Sequence, residues 1–61
     1  MEEIIYCMED LYGDTVEIHA TDDGPAWAVY FDYDLSKRVV KEFPRGEVSA
    51  YVWAYSHGYR E

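Results

Sequence analysis

The sequence predicts an α+β fold: a small antiparallel sheet of three to four strands followed by one C-terminal helix packed on one face (β-β-β-β-α), in a single domain spanning residues 1–61. Three observations predict it. Four short segments rich in β-branched and aromatic residues are separated by clusters of Gly, Pro and Asp. After Pro44 the hydrophobic period changes from two residues to about 3.6. The chain has 61 residues, enough for one core and no more.

The first strand is read at 3–9. It is apolar on both alternating faces, with Ile5 and Cys7 on one and Ile4, Tyr6 and Met8 on the other, the pattern of a strand covered on both sides. Cys7 is accordingly expected to be a small buried hydrophobe. Asp10 to Asp14 supplies turn chemistry, with Gly13 free to take a positive φ. The second strand, 15–21, alternates cleanly. Val16, Ile18 and Ala20 point one way, and Thr15, Glu17, His19 and Thr21 the other, as in a half-buried strand.

Thr21-Asp22-Asp23-Gly24-Pro25 is the strongest turn signal, and the proline favours a loop longer than two residues. The third strand, 26–33, places Trp27, Val29, Phe31 and Tyr33 on one face and Ala26, Ala28, Tyr30 and Asp32 on the other. With Val16, Ile18 and the Trp27 face assigned beneath the helix, the open face is expected to carry Glu17, His19, Tyr30 and Asp32, with Ile5 and Cys7. Residues 34–37 close a tight connection into a short basic strand, 38–43, which with Lys37 beside it holds three basic residues that suit a sheet edge.

The helix is read at about 46–57. Val48, Tyr51, Val52 and Tyr55 recur at i, i+3, i+4 and i+7, a stripe expected to pack on the sheet. Trp53, Ala50, Ala54 and His57 are then expected on the outer face. Glu47 lies in the first turn, where its charge favours the helix dipole, and Gly58 is placed as the C′ residue. Neither Arg45 nor Gly46 is a strong N-cap.

Composition narrows the function classes. A single cysteine cannot form an intrachain disulfide, and no Cys/His spacing suits structural zinc. Stability must come from large side chains, a partner or a second copy of the chain. Seven tyrosines, two tryptophans and two phenylalanines fit the first route and oppose disorder. The N-terminal residues lack signal-peptide character, no apolar run reaches the ~20 residues of a membrane span, and the lone thiol fits a reducing compartment. A cytoplasmic location is expected. The net charge of −8 opposes direct binding to nucleic-acid phosphates or anionic lipid.

No nucleophile elbow, phosphate-cradling glycine loop or zinc-protease helix is present. Asp32-x-Asp34-x-Ser36 opens like a calcium loop, but Lys37 stands where glycine is needed and Phe43 where the bidentate Glu belongs. No cofactor, metal or catalytic residue is expected. The candidate residues are partner-binding ones: Asp22, Asp23, Asp32, Asp34, Glu17, Tyr30, Trp53 and His57.

The acids fall in three groups: Glu2, Glu3, Glu9, Asp10 and Asp14; Asp22 and Asp23; Asp32 and Asp34. Convergence of the strand ends that carry them would create a strongly negative patch. In size, charge and aromatic content the chain resembles small acidic proteins that phages and other mobile elements make to block host nucleic-acid enzymes. That resemblance implies an inhibitor presenting carboxylates to a basic protein surface. The C-terminal half also resembles sheet-plus-helix modules such as the arm-binding domains of tyrosine recombinases, which bind DNA through the sheet. Here Glu17 and Asp32 stand where such a sheet needs Lys or Arg, so the likeness implies fold alone. The alternative function is a structural or accessory domain, or one subunit of a homodimer, binding through apolar aromatic faces with Trp53 foremost.

Overall fold

The computed structural model describes residues 3–22 and 24–61. Its elements are β1 (Glu3–Glu9), β2 (Thr15–Thr21), β3 (Ala26–Asp32), β4 (Lys37–Phe43) and α1 (Glu47–Ser56). The strands form one antiparallel sheet in the order β1-β2-β3-β4. Sequential neighbours are what short connections produce. The helix lies across β2, β3 and β4 on one face. The expected α+β architecture is therefore present, with strand ends within a residue of their expected positions.

Turn chemistry fixes the register. Asp10 Oδ1 accepts the N–H groups of Tyr12 and Asp14, both at 2.9 Å, while Gly13 takes φ +84°. At the same end of the sheet, Asp32 Oδ1 accepts the N–H of Asp34 at 2.9 Å and of Leu35 at 3.2 Å. Ser36 enters the left-handed region at φ 54°, the one non-glycine residue there among those described. Tyr33 Oη ties the two turns together by donating to Asp14 Oδ1 at 2.5 Å.

The helix ends as its sequence implies. Gly58 takes φ +87°, and the Tyr59 N–H reaches back to the Ala54 carbonyl at 3.1 Å. The tail then turns onto β1, where Arg60 and Glu9 exchange both backbone hydrogen bonds at 2.9 Å. At the other end Gly46 offers no side-chain cap.

Two assignments of faces are corrected. The register pairs Ile18 with Ala28 and Val16 with Tyr30. The helix therefore covers the Ala26, Ala28 and Tyr30 side of β3, and Trp27, Val29 and Phe31 lie on the open face. The helix is also rotated relative to its expected orientation: Tyr51 packs inward against Tyr6 as expected, but the valines of its stripe do not. Ala50 and Ala54 are buried, while Val48 is 75% and Val52 61% exposed. Both corrections have one cause. Ala50 and Ala54 share the buried cluster with Ala20, Ala26 and Ala28, so small residues on both sides let helix and sheet approach closely. Tyr6, Tyr30, Tyr51, Trp53, Phe43 and Tyr59 then fill the flanks of that contact.

Candidate functional site

The helix closes one face of the sheet and leaves the other bare. Alternation and register place fourteen positions on this open face in rows across the strands. One row runs Ile5, His19, Trp27, Glu42, and the next runs Cys7, Glu17, Val29, Val40. A third holds Glu9, Thr15, Phe31 and Arg38. Along β3 the side chains Trp27, Val29 and Phe31 form a continuous apolar line. Phe31 meets Tyr33 edge-on, with ring centroids 4.8 Å apart, which extends the line onto the turn end. Val40, 60% exposed, widens it on the β4 side, and Ile5, 54% exposed, lies on β1 beyond His19. Cys7 is exposed on this face. The burial expected for it fails because nothing covers β1 there.

At the margin of the line sits a compact charged group. His19 Nδ1 lies 2.6 Å from Glu3 Oε1, and His19 Nε2 lies 3.3 Å from Glu17 Oε1. The ring stacks on Trp27, with centroids 5.3 Å apart and planes 11° from parallel. Its pKa is raised, foremost by the hydrogen bond to Glu3; desolvation opposes the shift and Glu17 reinforces it. Among the described residues no group of three metal-ligating side chains has the geometry of an ion site. Two shallow hollows lie at the base of the sheet, lined by residues such as Lys41, Phe43, Pro44 and Arg45 in one and Pro25 and Trp27 in the other. Neither is lined by His19 or Cys7.

The candidate residues that the structure describes are dispersed. Glu17 is on the open face, as expected. Tyr30 is on the helix side, tilted against Trp53 at 4.9 Å. Trp53 is half-buried, also beside Phe43 at 5.6 Å and Tyr59 at 6.1 Å, so the outward Trp53 face is corrected to an inward one. His57 packs on Trp53 at 4.9 Å, with its Nδ1 2.8 Å from the Trp53 carbonyl, and closes the end of the helix. Asp32 shapes the β3–β4 turn and does not stand on the open face. Asp34 is exposed beside it.

Asp22 lies at the opposite end of the sheet, about seven residues of strand or roughly 23 Å away. The expectation for Asp23, like that for Glu2, lies outside the described residues. The acids thus converge only in part: Asp10, Asp14, Asp32 and Asp34 share one end, and Asp22 does not join them.

Sequence reasoning missed Trp27, Val29, Phe31 and Val40 as residues of the open face. Their signal was present in β3, where one face holds two alanines and the other holds three large side chains. A helix that itself offers Ala50 and Ala54 packs on the small face. No protein-family model matches the chain, and no curated protein or solved structure matches it.

Proposed function

We propose that this chain is an acidic protein-interaction module that docks another protein on the open face of its sheet. The observation that carries the reading is the line Trp27, Val29, Phe31, which no helix covers and which is half-buried among its strand neighbours, with the exposed Val40 beside it. A two-layer fold has no structural need for three large apolar side chains on its wet face, and contiguous exposed apolar surface marks interaction sites. Trp and Tyr are also favoured interface residues.

Charge indicates the kind of partner. Glu3, Glu9, Glu17 and Glu42 share the face with one arginine, Arg38. A partner with an apolar centre and basic margins complements it, and the attraction speeds association and weakens with salt. An inhibitor that occupies the basic surface of a nucleic-acid-binding protein is one such module. The division of the acids between two ends favours apolar docking with electrostatic help over imitation of a phosphate track by carboxylates alone. A second reading, self-association, draws on the exposed Val48 and Val52 of α1.

Two exposed substitutions separate these readings. Val40→Lys removes apolar surface and repels a basic partner; Val48→Lys does the same on the helix. Affinity purification followed by titration of the recovered partner is expected to show at least about tenfold weaker binding for Val40→Lys and unchanged binding for Val48→Lys, with wild-type binding falling as salt rises. Loss confined to Val48→Lys, together with a concentration-dependent mass in ultracentrifugation, overturns the docking reading.

A further inference from the structure

The Glu3–His19–Glu17 group poses a problem of proton count. A neutral imidazole carries one N–H; its second nitrogen is a lone pair that repels a carboxylate. Here both ring nitrogens face carboxylates, at 2.6 and 3.3 Å. Only the imidazolium donates to both. The His19 side chain is 15% exposed, which leaves little room for water to replace a lost partner. The groups around the ring come from every strand. β1 gives Glu3 and the cross-strand neighbour Ile5, β2 gives Glu17, and β3 gives Trp27. Glu42 of β4 stands beside Trp27. The helix is on the other face, so the titratable neighbours are carboxylates throughout.

We propose that this clamp is a proton switch on the docking face, making binding of a basic partner pH-dependent. With its proton, His19 holds both Glu3 and Glu17 and cancels one of their charges. Without it, one N–H remains for two carboxylates. The longer contact, to Glu17, is released, and the face becomes one charge more negative beside Trp27. A basic partner then binds more tightly above the His19 pKa than below it. By reciprocity, binding of that partner releases the proton. The inference rests on the open-face reading given above. The raised pKa of His19 puts the transition above the ordinary imidazole value.

The test uses an acetylated amphipathic peptide of leucine and lysine, about fourteen residues long, as a stand-in for a basic apolar partner. Its affinity is measured by calorimetry at about pH 5.5 and 8.5 and fixed ionic strength, for the wild type and His19→Gln. Ring resonances of His19 and amide resonances of Trp27 and Val29 are followed by NMR. The expected result is binding that shifts Trp27 and Val29 and tightens roughly two- to fivefold at the higher pH, the scale of one exposed charge pair. His19→Gln removes the pH dependence. Equal affinity at both pH values while His19 titrates, or the same pH dependence in His19→Gln, overturns the switch and leaves the docking face standing. Absence of binding at both pH values, or binding that leaves Trp27 and Val29 unshifted, overturns both.

Discussion

Trp53 illustrates how one side chain can take on a role opposite to its apparent one. It projects from the helix flank into a cage of Tyr30, Phe43, His57 and Tyr59 rings, so its work is cohesion. Removing it should destabilise the chain and should not dissociate a complex. Trp53→Ala is expected to cost about 3 kcal/mol, against a total of roughly 3–9 kcal/mol for a domain of this length. Loss of the far-UV and near-UV circular dichroism transitions at lower urea would register it. Ser36 has the reverse bias. Its φ of 54° suits glycine, so Ser36→Gly should raise stability by up to about 1 kcal/mol in urea denaturation.

His19 gives a pH signature without any partner. Its folded-state pKa is raised above 6.5. The clamp's contribution to stability is therefore complete below the unfolded value and lost as pH rises through the folded one. Wild-type urea midpoints should fall across that window relative to those of His19→Gln. A constant difference between the two across the window would show that the clamp does not form as described.

At the scale of elements, the helix rests on alanines. Ala50 and Ala54 are completely buried and set the distance between helix and sheet. Ala54→Leu should force the layers apart and cost about 1–3 kcal/mol, whereas Val52→Ser on the outer side should change stability by no more than about 0.5 kcal/mol. Thermal denaturation of the two variants compares the faces directly. The sequence announced these elements well, because each is bounded by local chemistry: Asp10 and Gly13, Asp32 and Asp34, Pro44, Gly58. Which face of each turned inward was not local. The helix carries apolar residues on both sides, Val48 and Val52 against Ala50 and Trp53, so periodicity could not choose between them. The choice was made by β3, whose alanines accept a close helix while Trp27, Val29 and Phe31 do not. Packing small on small and ringing it with aromatics is a tertiary decision, and the candidate site inherited the error through Tyr30 and Trp53. Glu17 was placed correctly because β2 alternates without ambiguity.

At the scale of the whole molecule, the two faces of the sheet divide the labour. One face and the helix hold the core: Met8, Val16, Ile18 and the alanines, with Tyr59 folded over from the tail. The other face keeps an apolar line within a carboxylate margin and has nothing of its own to cover it. The edges are managed separately. Arg60 pairs with the end of β1, and β4 carries Lys37, Arg38 and Lys41, which discourage strand pairing with another copy. The face, with its apolar line, is the surface assigned to a partner. Hydroxyl-radical footprinting of the purified complex tests this most directly, since it reads sulfur and aromatic side chains by their access to solvent. Protection of Cys7, Trp27 and Phe31 on binding, with Tyr55 of the helix unchanged, is the result expected. Protection of Tyr55 while the open face stays as reactive as in the free protein would contradict it.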